Sequence, residues 1–291
     1  MVLNPKVVNY PAMFAYQLEP EIYDFQMLNE IIKEGEKCGI TDYPVHIKID
    51  SGMHRLGFLK EDMKELKALL LSQNIIAPKS VFSHLAAADN PSMDDYTQQQ
   101  FDYFDACCDE LQEAYPDRYI MRHILNSTGI VRFPQHQHDL VRLGIGLYGI
   151  PTLDDGSMSA LHRVTALHTV IRSVKHGTEG NTIGYNRNGL LKRDPVIATI
   201  PVGYADGIDR HLGNGHASFM VNGHRCPTVG NICMDICMID VTDCPDVKPG
   251  NRVEIFGSNV TAVELAEILD TIPYEILTSV SQRVKRVYFR E

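Results

Sequence analysis

Val45-His46-Ile47-Lys48-Ile49-Asp50-Ser51-Gly52-Met53-His54-Arg55 reads as a strand that runs into a glycine-bearing loop, with Lys48 inside the strand and Arg55 just past the loop. Leu140-Val141-Arg142-Leu143-Gly144-Ile145 repeats the arrangement, with Arg142 in an otherwise apolar run. A sheet interior does not accept an unpaired ammonium or guanidinium, so each of these cations needs a partner or a ligand. For any one of them, snorkelling or a structural ion pair is explanation enough. Together with His84 and His123 at other strand ends, they form a cationic and titratable cluster converging on one face, which is harder to explain by structure alone.

Outward from these stretches, short apolar runs at residues 2–4, 17–21, 45–49, 81–84, 119–125 and 141–145 alternate with helical patterns at 25–38, 61–71 and 93–115. Gly39 and Pro116 close two of the helices, and a short turn opens at Asn126-Ser127. Repeated strand-helix alternation predicts a parallel sheet with helices outside. The unusual polar residues fall at the carboxyl ends of the strands, where (β/α)8 barrels and open α/β sheets carry their sites. The α/β class therefore takes the form of an incomplete TIM-type barrel, about six of eight strands, over residues 1–152. After a turn-rich linker containing Asp154-Asp155-Gly156, residues 153–291 read as a mainly β C-terminal domain. Its strands are expected at 164–174, 196–200, 217–221, 238–241, 252–256 and 284–289, with a turn at Val221-Asn222-Gly223-His224. One helix, 262–269, follows Thr261 as N-cap, with Glu264 three residues on.

The 291 residues are 44% hydrophobic and carry 27 Lys plus Arg against 37 Asp plus Glu, a net charge of −10. No global positive field is available for nucleic acid or an anionic membrane, and no apolar run approaches the ~20 residues of a membrane span. The N-terminal residues lack the basic and apolar regions of a signal peptide, which predicts a cytoplasmic protein. Seven cysteines, without a repeated paired spacing, read as free thiols. Cys233 and Cys237 read as small apolar residues on strands, and no metal is expected.

Asn126-Ser127-Thr128 and Gly144-Ile145-Gly146 follow what would be the last two barrel strands. Barrels often bind phosphate on backbone N–H groups in that pair of loops, but ordinary N-cap and turn chemistry accounts for the same residues. Residues 144–149 also spell G-x-G-x-x-G, yet Pro151 and a turn follow where a dinucleotide fingerprint requires a helix. In the β domain, Ile183-Gly184-Tyr185-Asn186, Gly203-Tyr204-Ala205-Asp206-Gly207 and Ile232-Cys233-Met234-Asp235 put polar and aromatic groups into glycine-bearing loops, as functional loops and plain hairpins both do.

On these residues the chain resembles the C-terminal three quarters of bacterial alanine racemases, which are pyridoxal-phosphate enzymes. The resemblance runs over residues 2–290 and is most specific at 46–57, 123–127, 141–145, 201–207 and 230–235. It implies a (β/α)8 barrel followed by a β domain, in a head-to-tail homodimer with sites shared between subunits. It further implies that Arg142 hydrogen-bonds the pyridine nitrogen and, being unable to give up its proton, leaves the ring neutral. His123 would orient Arg142, and His84 would lie against the ring and hydrogen-bond Tyr185. Asn126, Ser127, Gly144 and Ile145 would surround the phosphate. Tyr185, from the other subunit, would be one of two opposed bases facing Arg55, which also meets the substrate carboxylate. Lys48 is often carbamylated in this family and would then anchor Arg55. The Met234 N–H would bind the substrate carboxylate, with Tyr204 and Asp235 lining the entrance.

Two departures stand out. The family's phosphate-binding tyrosine falls on Gln282, which leaves an amide where a hydroxyl is usual. The Schiff-base lysine, carried on the first barrel strand in a Lys-Ala-x-Ala-Tyr-Gly-type segment, has no counterpart among these residues. The expectation is therefore an alanine racemase, serving D-alanine supply for peptidoglycan, of which this chain is a fragment starting at the third barrel strand and inactive alone. The alternatives are a related fold-type III pyridoxal-phosphate decarboxylase, which the 203–207 and 232–235 loops disfavour, and a non-catalytic structural or interaction module.

Overall fold

The computed structural model describes residues 1–153 and 155–289; Asp154 of the linker and Arg290, the last residue of the resemblance, lie outside the described residues. The chain divides into two compact units, Met1–Leu147 with Pro151–Ala160, and Tyr148–Ile150 with Leu161–Glu291.

The first unit is built on β1 (Glu21–Ile22), β2 (Tyr43–Lys48), β3 (Ile76–Phe82) and β4 (Met121–His123), a parallel sheet in that order. Side chains alternate across a strand, and β2 uses both faces. Val45, Ile47 and Ile49 are buried in the hydrophobic core with Leu28, Ile31, Leu66 and Phe101. His46 and Lys48 point the other way, and in register beside them lie Glu21, Ser80, Phe82 and His123. The helices that cover the core face are α1 (Tyr10–Ala15), α2 (Phe25–Lys37), α3 (Met63–Leu71) and α4 (Asp94–Glu113), followed by the short α5 (Ser127–Arg132). Asp24 caps α2 by accepting from the Met27 N–H at 2.7 Å, and Gly39, at φ 66°, ends it. Phe101, Phe104, Cys108 and Leu111 put one buried stripe along α4.

Four regular strands form where six were expected, for local reasons. Val2 makes a single parallel bridge to Pro20, and Gln17, at φ 54°, breaks the 17–21 run before Pro20, which has no N–H to donate. Residues 141–145 are not a strand. The Asp139 and Arg142 N–H groups reach the Arg122 and Leu125 carbonyls, but Gly144 and Gly146 both donate to Ser127 Oγ, which ends any ladder.

The second unit is mainly β. One sheet runs β11 (His224–Pro227), β10 (Ser218–Val221), β13 (Arg252–Phe256), β5 (Leu167–Val170), and another runs β12 (Cys237–Asp240), β9 (Val196–Ile200), β6 (Ser173–His176). The expected 164–174 strand is two strands because it changes sheets: the Ile171 N–H donates to Asn251 and the Arg172 N–H to Thr199. A two-stranded pair, β7 (Thr182–Ile183) and β8 (Gly189–Leu190), brackets Tyr185. Thr261 caps α6 (Ala262–Ile268) through the Glu264 N–H at 2.9 Å. A second helix, α7 (Pro273–Ser279), was not anticipated, and 284–289 is not a strand, with Tyr288 and Phe289 exposed.

Candidate functional site

Arg142 is the hub of the first unit's polar face. Its Nη1 donates to His123 Nδ1 at 2.7 Å and to the His123 carbonyl at 3.1 Å. Its Nη2 meets the Ser83 carbonyl, the Ile124 carbonyl at 3.2 Å and His84 Nδ1 at 3.3 Å. Both terminal nitrogens are committed, which leaves Nε–H as the guanidinium donor with no acceptor among the described residues. Burial pulls this guanidinium down to about 10, so it keeps its charge at neutral pH.

A guanidinium only donates, which sets the direction of everything behind it. His123 Nδ1 accepts, so its proton sits on Nε2 and goes to Ser80 Oγ at 3.0 Å. The Ser80 hydroxyl then donates to His46 Nδ1 at 2.6 Å, and His46 Nε2–H donates to Glu19 Oε2 at 2.9 Å. The line starts at a group that cannot accept and ends at a carboxylate that cannot donate, so each imidazole in it is neutral and held in one tautomer.

Burial, followed by the charge of Arg142, pushes His123 down to about 3 and His84 to about 4; Arg55 and Lys48 add to the effect on His84. These folded-state values lie below the unfolded value near 6.5, so their contribution to stability is complete above about pH 6.5 and is lost as pH falls from there through about 4 for His84 and about 3 for His123. At pH 5 the loss is about 2 kcal/mol for buried His123 and less for half-buried His84. Urea midpoints at pH 7 and pH 5 measure it. His123→Asn should show a smaller drop than the parent, and an equal drop would count against the assignment.

Lys48 Nζ lies 3.4 Å from Glu21 Oε2, both buried, while the Asn4 N–H donates to Glu21 Oε1 at 2.6 Å. Sequence reading missed Glu21, although a carboxylate inside Pro20-Glu21-Ile22 poses the problem that drew attention to Lys48. It also missed Glu19, His46 and Ser80. Arg55 is exposed and forms no ion pair among the described residues.

The two loops considered for phosphate meet at one hydroxyl. Ser127 Oγ accepts from the Gly144 N–H at 2.9 Å and the Gly146 N–H at 3.2 Å. Asn126 caps α5 by accepting from the Gly129 N–H, whereas the Ser127, Thr128 and Ile145 N–H groups open helical turns and have no acceptor within them.

In the second unit, the backbone draws the remaining residues into one cluster of loops. Tyr185, 70% exposed, follows Gly184 at φ 76°, and its carbonyl accepts from Asn231 Nδ2 at 3.1 Å. The Tyr204 N–H donates to Cys233 and the Ala205 N–H to Met234, both at 3.0 Å. Gly203 lies so close to the Cys233 and Met234 carbonyls that a Cβ would collide with them. Arg283 ties the loops down, with Nε 2.8 Å from Asp206 and Nη2 2.5 Å from Asp235, and places Gln282 beside them on the surface. A separate cleft of 860 Å³ is lined by Tyr204, Asn231, Leu265 and Ile276, but by neither Tyr185 nor Met234.

Residues 1–151 match the family model described as alanine racemase, N-terminal domain, and residues 164–288 match alanine racemase, C-terminal domain. Alanine racemase of Clostridium tetani (strain Massachusetts / E88) is 37% identical over 285 residues, which cover 95% of this chain and 72% of that protein. A solved alanine racemase from Clostridium difficile 630 superposes with a TM-score of 0.91 at 32% identity, covering 99% of this chain and 76% of that one. One from Bartonella henselae, solved with covalently bound pyridoxal phosphate, gives 0.83 at 28% identity over 97% of this chain and 76% of that one. The chain belongs to the alanine racemase family.

Proposed function

We propose that this chain supplies most of a pyridoxal-phosphate site for the interconversion of L- and D-alanine, completed by a second copy in a homodimer. The observation that carries the reading is the single uncommitted Nε–H of Arg142, on a guanidinium whose other donors are all held. When bound, pyridoxal phosphate would withdraw electrons from the alanine Cα and so loosen its proton.

The residues present fit that group. The N–H groups now spent on Ser127 Oγ, together with those of Ser127, Thr128 and Ile145, supply the donors a phosphate needs, and the Ser127 hydroxyl remains free to donate. Arg142 would offer Nε–H to the pyridine nitrogen, and the Ser80–His46–Glu19 line behind His123 would keep that donor aimed. Gln282 would replace a tyrosine hydroxyl near the phosphate with an amide. Lys48 already has Glu21 as its partner, so in this reading it remains an ammonium, because a carbamate would set one anion against another. Arg55 is then free to meet the substrate carboxylate.

Tyr185 Oη, from the partner copy, would take the Cα proton on one face, and the Met234 N–H would hold the carboxylate, with Tyr204 and Asp235 at the entrance. A two-fold pairing lets each copy complete the other's site. We place the protein in the cytoplasm, where its seven free thiols stay reduced.

The test is Tyr185→Phe in a form that carries a lysine-bearing first strand of the family type ahead of these residues. Solvent deuterium should then enter alanine from one enantiomer at a rate lower by about 10²–10⁴. Pyridoxal phosphate should stay bound. Equal slowing from both enantiomers, or loss of the cofactor, would sink the assignment.

A further inference from the structure

On the outer side of the first unit, away from the polar face, Asp105 of α4 meets His136 and His138 of the segment that follows α5. One ligand atom from each lies within 4.8 Å of the other two, the one group of this kind among the described residues. We propose that these three side chains bind a divalent transition metal, with zinc as the best match.

The geometry is that of ligands around a missing centre. Asp105 Oδ1 is buried and has no hydrogen-bond partner, although His138 Nε2 is only 3.3 Å away. The two atoms are close without pointing at each other, as donor atoms on one metal are. Neither ring nitrogen of His136 is hydrogen-bonded among the described residues, which an ion pair between Asp105 and His138 does not explain. Buried polar atoms usually find partners, so the orphaned Asp105 Oδ1, with ring nitrogens of His136 and His138 gathered beside it, is the observation that a bound cation would account for.

The surroundings fix the rings. His136 stacks on Phe101 with centroids 3.7 Å apart, and His138 stands edge-on to Phe104 at 5.9 Å. Both phenylalanines belong to the buried stripe of α4 that carries Asp105. His138 adopts a left-handed backbone, φ 46°, unusual for a residue other than glycine.

Two imidazoles and one carboxylate suit zinc and its neighbours, whereas calcium and magnesium favour all-oxygen sites. Three protein ligands leave a fourth position for water. The bound ion would tie the 134–138 segment to α4, a few residues before Arg142, and so act as a structural clamp. The site does not depend on the racemase reading.

Metal-free 291-residue chain titrated with zinc chloride against a chromophoric chelator should take up one equivalent, with a rise in Tm. Magnesium chloride should produce no rise. His136→Gln and Asp105→Asn should each weaken the one-equivalent uptake at least ten-fold, and His211→Gln, at another surface His–Asp pair, should not. If His136→Gln fails to fold by circular dichroism, His138→Gln takes its place. Absence of zinc uptake, or uptake that survives these substitutions, overturns the proposal and leaves an ion pair only.

Discussion

The 291-residue chain mixed with pyridoxal phosphate and L-alanine is expected to form D-alanine no faster than the cofactor does alone. Proton exchange on two faces needs two bases, and the proposed site draws only one of them, Tyr185, from these residues. A covalently attached cofactor also needs a lysine at the polar face, and Lys48 is the only buried lysine among the described residues. Its ammonium is paired with Glu21, and deprotonating it for attack would strand that carboxylate. Lys79 is exposed and lies 2.6 Å from Glu19. Loss of a base or a nucleophile costs about 10²–10⁴ or more in rate. Chiral chromatography of the alanine provides the check. Turnover that scales with chain concentration and disappears in Lys48→Arg would mean that Lys48 itself bonds the cofactor.

Replacing Arg142 with methionine should destabilise the first unit by about 2–4 kcal/mol, the largest effect expected of a single substitution on its polar face. Methionine fills much of the volume and offers no donor. The Ser83 and Ile124 carbonyls and His123 Nδ1 lose their Arg142 partner together, while the His123 carbonyl keeps the Ser83 N–H. Each buried acceptor left unpaired costs about 1–3 kcal/mol, and water reaching this half-buried site offsets part of the sum. His123 is released as well. With its nearest cation gone its basicity should rise, and the acid sensitivity of the unit should lessen. Urea denaturation at pH 7 and pH 5 reads both effects. Arg142→Lys should recover little, because one ammonium cannot serve acceptors spread across a planar fork. Full stability in Arg142→Met would mean that the hydrogen bonds are incidental.

The sequence made some of this legible and hid the rest for physical reasons. Strands with a buried face announce themselves, and β2, β9, β10 and β13 lie where apolar runs placed them, whereas β3 begins five residues ahead of the 81–84 run. The N-cap at Thr261 and the turn at Asn222-Gly223 were equally plain, because both are local chemistry. The 141–145 stretch looked like a strand by composition. What stops it is a contact far away in sequence, since Ser127 Oγ takes the Gly144 and Gly146 N–H groups. The division of 164–174 between two sheets is set in the same way, by partners at Asn251 and Thr199.

The candidate site divides along the same line. Lys48 and Arg142 were conspicuous because charge inside an apolar strand is costly. Their partners were not, apart from His123. Ser80 is an ordinary residue in a strand, and its value lies in bridging two histidines that are 77 positions apart in sequence. His136 and His138 attracted no attention because two alternate histidines are common, and Asp105 reaches them only when α4 and the 134–138 segment fold together.

The central proposal is that these 291 residues supply cofactor-binding groups around Arg142 and that none of their own lysines, Lys48 included, bonds the cofactor covalently. The most direct measurement is the mass of the chain, and of its peptides, after incubation with one equivalent of pyridoxal phosphate and reduction with borohydride. The expected result is an unmodified chain, or traces of label scattered over exposed lysines. Stoichiometric labelling of one lysine, Lys48 above all, would contradict the claim.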